Sequence, residues 1–169
     1  MNPPSALALA VEERRAGLAH LLSFSGVPQA VAAVDQLEMP GPAGSLAIRA
    51  YTPSGADADE RLPGMVYFHG GGLVAGTLDT HDPICRALSN ASRCRVLSVD
   101  YRLAPEHPFP AAVADGCAAA EWIAGHAQEL CVDPRRIGVA GDSAGATLAA
   151  VVCHESTVAA GSRLAFQFL

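Results

Sequence analysis

Five residues, Gly141-Asp142-Ser143-Ala144-Gly145, limit what this chain can fold into more than any other stretch. They stand between a short apolar run, Arg136-Ile137-Gly138-Val139-Ala140, and a run rich in Ala and Leu, Ala144 to Val152. The first run has the length and apolarity of a buried parallel strand; the second suits a helix. A strand that passes into a helix over a Gly-x-Ser-x-Gly turn carries its serine out at the strand's C-terminal end. The backbone there is strained, and only small neighbours fit. The helix N-terminus beneath offers unpaired N–H groups and the positive end of its dipole. Ser143 is on these grounds a candidate acyl-transfer nucleophile, although a capping serine at an ordinary strand-to-helix turn has the same five letters.

A second element bears on that choice. His69-Gly70-Gly71-Gly72 follows Met65-Val66-Tyr67-Phe68, another buried-strand candidate. Three successive glycines lose much backbone entropy on folding, and a plain turn does not require them. Acyl transfer does: its tetrahedral intermediate carries an oxyanion, which preorganised backbone N–H groups stabilise. A glycine loop can bring two such groups beside the nucleophile, and Ala144, the residue after the serine, can add a third.

Both motifs resemble those of the α/β-hydrolase fold and, within it, the hormone-sensitive-lipase-like esterases. The run Asp100-Tyr101-Arg102-Leu103-Ala104-Pro105-Glu106-His107-Pro108-Phe109-Pro110-Ala111-Ala112 is similar to that family's stretch after its fourth strand, and Gly76-Thr77-Leu78-Asp79-Thr80-His81 also fits. The resemblance runs from about Ser45 onward, with the three motifs in the family order. Leu73 stands where the family has an aromatic residue, which bears on the acyl pocket. Ala146 and Thr147 replace a Gly and an Asn, which bears on helix packing.

A serine nucleophile needs a base and an orienting carboxylate, which in this fold follow the serine as Asp or Glu and then His. After Ser143 the candidates are His154 and Glu155. His154 lies three helical turns from the serine, roughly 16 Å, and points away from a site at the helix N-terminus. Family members continue with two more strands, helices and both remaining triad residues. The resemblance therefore implies the N-terminal portion of a larger esterase, with the triad Asp or Glu and His beyond residue 169. Arg163 to Leu169 reads as a further strand, whose uncovered edge would favour a homodimer or aggregation.

Half of the 169 residues are hydrophobic, enough for one sizeable core. A net charge of −6 argues against nucleic acid or an anionic membrane as partner. The five cysteines are scattered without a C-x-x-C pair, which reads as buried thiols rather than disulfides or a zinc site. No metal or organic cofactor is implied. Met1 to Pro4 lacks a basic region, and Glu12-Glu13-Arg14-Arg15 interrupts the apolar stretch, so neither a signal peptide nor a membrane span is read. A cytoplasmic enzyme is the expectation.

Along the chain, Ser5 to Leu22 reads as a helix with Leu7, Val11, Leu18, Leu21 and Leu22 on its apolar face. Residues 1–25 are expected to form a cap-like segment and residues 26–169 part of a single catalytic domain. Val31 to Glu38 and Leu46 to Tyr51 read as an edge hairpin around Pro40 to Gly44. Gly64 to Phe68 and Arg95 to Val99 read as parallel strands. Helices are expected near Pro83 to Ala91, capped by Asp79 or Thr80, and over Ala111 to Glu129, with Asp133-Pro134 opening the turn to the elbow strand. The fold class is α/β: a mostly parallel sheet with helices on both faces, ending after about the sixth strand. Asp100, Arg102 and Glu106 are expected to form one ion-pair network, and Trp122 and His126 to pack together.

The reading as a whole is a serine carboxylesterase for short- to medium-chain small-molecule esters. Ser143 attacks, the N–H groups of Gly71, Gly72 and Ala144 hold the oxyanion, and His69, Gly70 and Asp142 support them. The alternative is a non-catalytic protein on the same fold that binds a small ligand.

Overall fold

Apolar side chains alternate between the two faces of the central strands, and that alternation dictates the layers. The computed structural model describes residues 9–57, 59–159 and 164–169. In β3 (Leu62–Phe68), Val66 and Phe68 pack on one side while Met65 and Tyr67 pack on the other. In β4 (Arg95–Val99), Leu97 and Val99 alternate with Val96 in the same way. Strands apolar on both faces need cover on both faces. Helices α3 (Ala111–Gly125) and α4 (Ala144–Ala159) cover the first through Ala119, Ala120, Ile123, Leu148, Ala149 and Val152. Helix α2 (Asp82–Ser92) covers the second through Cys85, with Ile84 and Leu88 beside it.

The sheet has six strands, with β1 (Ala33–Gly41), β2 (Gly44–Thr52), β5 (Val132–Gly141) and β6 (Gln167–Phe168) completing the order β1-β2-β4-β3-β5-β6. The β1–β2 and β2–β4 pairs are antiparallel, and the β4–β3, β3–β5 and β5–β6 pairs are parallel. The two most central strands, β3 and β5, end side by side at Phe68 and Gly141. The loop after each thus starts from the same edge of the sheet, where ligands bind in open α/β sheets.

The structure corrects several sequence expectations. Helix α1 spans Val11–Leu22 with no fully buried residue; the expected start, at Ser5, and Leu7 lie outside the described residues. The hairpin strands run on to Gly41 and from Gly44, leaving only Pro42-Ala43 as the loop. The expected caps of α2 are otherwise engaged: Asp79 pairs with Arg49 at 2.8 Å and Thr80 bonds back to Thr77, so His81 takes the N-cap position without a side-chain bond. Helix α3 stops at Gly125, where the His126 N–H closes on the Trp122 carbonyl at 2.9 Å. Asp133-Pro134 lies within β5, in an exposed excursion between the Leu62–Val132 and Gly64–Ile137 pairs. Arg163 is outside the described residues, and β6 itself covers only Gln167–Phe168.

The anticipated Asp100–Arg102–Glu106 network does not form. Arg102 instead makes a two-pronged pair with Asp115, at 2.8 and 2.7 Å, and its own N–H reaches the same carboxylate at 3.0 Å. Asp115 is buried on the inner face of α3, and a buried carboxylate demands such a partner. Glu106 turns the other way, to Arg15 of α1. Trp122 and His126 do stack, with centroids 4.4 Å apart. His154 is exposed on α4.

Candidate active site

Ser143 sits at the junction of β5 and α4 with φ of 52°, exposed to solvent. This left-handed conformation is costly for a residue with a Cβ. Short bonds on either side hold it: the Gly145 N–H donates to the Asp142 carbonyl at 2.8 Å, and the Thr147 N–H to the Ser143 carbonyl at 3.2 Å. The flanking glycine is a steric necessity. A Cβ on Gly145 would overlap the Phe68 carbonyl oxygen and lie 2.6 Å from that of His69. The start of α4 therefore rests directly on the backbone where β3 becomes the glycine loop.

That loop turns through three successive left-handed residues, Gly71 (φ 126°), Gly72 (φ 69°) and Leu73 (φ 59°). The Val74 and Ala75 N–H groups close the turn on the Gly71 carbonyl at 3.3 and 3.0 Å. Leu73 is kept in its strained state by the Ala104 N–H, which donates to its carbonyl at 2.8 Å, and by packing against the core. Among the described residues, no protein acceptor takes the N–H of Gly71, Gly72 or Ala144. Preorganised donors without a partner are what stabilises a developing oxyanion.

Asp142 ties the two loops together. Its Oδ1 accepts from the Tyr67 hydroxyl at 2.6 Å and from the Gly70 N–H at 2.8 Å, and His81 Nε2 approaches to 3.5 Å. Burial by itself would raise this carboxyl; the hydrogen bonding from His81 and Tyr67 outweighs it and holds Asp142 at about 2. The carboxylate is thus charged at neutral pH, and it fixes the glycine loop relative to the residue before Ser143.

His69 is fully buried and stacked on Tyr101 at 4.4 Å. Its Nδ1 lies 2.8 Å from the Gly70 carbonyl, which makes Nδ1 the protonated nitrogen, and the Tyr101 hydroxyl donates to the His69 carbonyl at 2.6 Å. Its Nε2 has no partner among the described residues. Burial, as the largest cause, lowers its pKa to about 4, so the ring is neutral at pH 7.

This has a consequence for acid stability. An unfolded histidine binds its proton near pH 6.5, whereas folded His69 resists until about pH 4. As pH falls through that window the unfolded chain gains the proton first, so stability drops, by up to roughly 3 kcal/mol, and levels off below it. Urea denaturation of the full-length protein between pH 7 and 4 measures the slope. The His69→Gln variant lacks this component and should show a flatter curve; parallel curves would refute the account.

The sequence reading named Ser143, the glycine loop and Asp142, which the structure brings together, but not Tyr67, His81 or Tyr101 as the groups beneath them. Tyr67 carried a signal, being the polar-tipped residue of an otherwise apolar strand. His81 and Tyr101 are brought in from separate loops; both lie in stretches that carry the resemblance, but nothing in those stretches singles them out as bracing groups. Among the described residues no cluster of three His, Cys, Asp or Glu side chains could hold a metal ion.

A family profile described as alpha/beta hydrolase fold matches residues 65–169, over half of the chain. Esterase LipI of Mycobacterium tuberculosis is 47% identical over 136 residues, which cover 80% of this chain and 42% of LipI. Carboxylic ester hydrolase LipN of the same organism is 51% identical over 128 residues, 75% of this chain and 33% of LipN. The crystal structure of LAE6, an alpha/beta hydrolase enzyme from the metagenome of Lake Arreo, superposes with a TM-score of 0.90 at 42% identity, over 98% of this chain and 52% of that one. The chain thus spans about half the length, or less, of the proteins it matches. By sequence, topology and the strand-to-helix turn at its centre, the chain belongs to the alpha/beta hydrolase fold family.

Proposed function

We propose that this chain carries the nucleophile and oxyanion hole of a serine carboxylesterase acting on short- to medium-chain esters through an acyl-enzyme. The observation that carries this reading is the exposed, left-handed Ser143 at the β5–α4 junction, with a glycine loop tied to its neighbour Asp142. Ser143 Oγ attacks the ester carbonyl. The N–H groups of Gly71, Gly72 and Ala144 take the oxyanion, each such donor being worth about a hundred- to a thousandfold in rate. Alcohol leaves, and water then releases the acid. His69, Gly70 and Asp142 support the geometry without touching the reacting atoms. Residues 1–25 act as a cap segment on the catalytic unit that begins at residue 26.

The base is proposed to come from outside residues 1–169, as a His oriented by an Asp or Glu. The histidines in this chain have other duties: His69 and His81 are buried beneath the elbow, His126 stacks on Trp122, His20 meets Phe24 edge to face, and His107 and His154 are exposed on other elements. The names of LipI and LipN support an esterase, and the free thiols of Cys85, Cys94, Cys117 and Cys131 support a reducing, cytoplasmic compartment. No described helix is long and apolar enough to cross a membrane.

A p-nitrophenyl alkylphosphonate tests the proposal. The full-length protein should release p-nitrophenolate in one-to-one yield and gain the phosphonyl mass on the peptide that holds Ser143. An unlabelled protein that nonetheless binds the ester without turnover would instead be a ligand-binding protein on this fold.

A further inference from the structure

Helix α1 lies across the glycine loop, and two adjacent arginines on it have different surroundings. Arg15 anchors the helix. Its guanidinium grips Glu106 at 2.8 and 2.7 Å and donates to the Val74 carbonyl at 2.8 Å and the Ala104 carbonyl at 3.4 Å. That pair holds Glu106 at about 2, so the anchor is charged on both sides at neutral pH. Leu18, one turn further on, comes within 3.0 Å of where a side chain on Gly71 would begin.

Arg14 is not part of that anchor. It is half-buried, and its Nη2 lies 3.5 Å from where a side chain on Gly72 would begin. None of the ion pairs among the described residues includes it. Glu13 lines the same cleft, but its carboxylate accepts the Ala10 N–H at 2.9 Å and caps the helix. The cleft between α1 and the loop has a volume of about 320 Å³, and Gly17, Leu18, Leu21 and Ala75 make the rest of its wall largely apolar. A guanidinium with no carboxylate partner among the described residues therefore stands at the edge of the loop proposed to bind the scissile carbonyl.

We infer that Arg14 is a specificity residue, and that the site takes esters bearing a carboxylate close to the scissile bond. Monoesters of short dicarboxylic acids and acyl esters of hydroxy acids have that chemistry. The inference rests on the hydrolase reading above. A carboxylate in the cleft gains charge-assisted hydrogen bonds from the planar fork, while an uncharged chain of the same length gains only contact with Leu18 and Leu21.

The test compares matched substrates in the full-length protein: monoethyl succinate against ethyl pentanoate, and carboxymethyl butyrate against ethyl butyrate. The first pair places the charge on the acid side, the second on the alcohol side. In Arg14→Gln the ratio of kcat/KM for the anionic over the neutral ester should fall about ten-fold for the favoured pair. Arg14→Lys should restore part of it, since it keeps the charge and loses the fork. Calorimetric binding of monoethyl succinate and carboxymethyl butyrate to the Ser143→Ala protein, with and without Arg14→Gln, gives a readout that needs no turnover. An unchanged ratio in both pairs, with unchanged binding, overturns the inference and leaves the hydrolase reading standing. Arg14-dependent binding without hydrolysis of any ester by the wild type overturns the hydrolase reading and upholds the anion site.

Discussion

Ser143→Ala lowers hydrolysis of short p-nitrophenyl esters by the full-length protein about a thousandfold or more. The size of the effect follows from what the side chain does and from what it does not do. In the proposed mechanism the hydroxyl oxygen is the atom that forms the acyl bond, and no other group shares that role. On the same proposal the donors that remain, the N–H groups of Gly71, Gly72 and Ala144, polarise a carbonyl but cannot replace the covalent step, so only a residual rate survives. The hydroxyl makes no hydrogen bond among the described residues and the residue is exposed, so its removal leaves packing untouched. Alanine meets the same φ of 52° at a cost close to that of serine. The variant should therefore keep its melting temperature to within about 2 °C, as surface changes do. Turnover above a tenth of the wild-type value, in a folded variant, would place the chemistry elsewhere.

The elbow was legible in the sequence because its determinants are local. Gly141, Ser143 and Gly145 are fixed by the crowding of one turn, and the flanking strand and helix announce themselves by composition. The same holds for the glycine loop and for strands whose two faces are both apolar. What stayed hidden depends on which residues meet across the fold. Arg102 has acidic neighbours at Asp100 and Glu106 in sequence, yet it bonds Asp115, because only α3 presents a buried carboxylate to it. The cap of α2 was misplaced for a similar reason: Asp79 is drawn to Arg49, which arrives from β2. The Glu12-Glu13-Arg14-Arg15 run looked like an interruption of an apolar stretch. In the fold it supplies a helix cap, an anchor and a cation outside every ion pair among the described residues, and the last two roles depend on the loops beneath it.

Gly145→Ala unfolds or severely destabilises the protein, by about 3 kcal/mol or more, out of the roughly 5–15 kcal/mol that a domain has available. A single methyl group has this effect because of what it would meet. The added Cβ overlaps the Phe68 carbonyl oxygen and stands 2.6 Å from the His69 oxygen and 2.7 Å from the His69 carbonyl carbon. These are backbone atoms at the end of the central strand β3, which pairs with both β4 and β5 and has no rotamer by which to move aside. Relief requires α4 to lift away from β3. Leu148, Ala149 and Val152 on α4 are buried in the main core, so the lift opens voids where they now pack. It also pulls Ser143 and Asp142 away from the glycine loop, breaking the Asp142–Gly70 bond. Gly125→Ala is the matched control: it is the same substitution at the end of α3, where an added Cβ meets nothing within 4 Å. There the smaller entropy of the unfolded chain should leave stability unchanged or raise it by about 0.5 kcal/mol. Thermal melts of both variants, with soluble yield as a second readout, separate steric overlap at the elbow from a general effect of losing a glycine. A Gly145→Ala protein that melts within about 2 °C of wild type would show that α4 does not press on β3 as described.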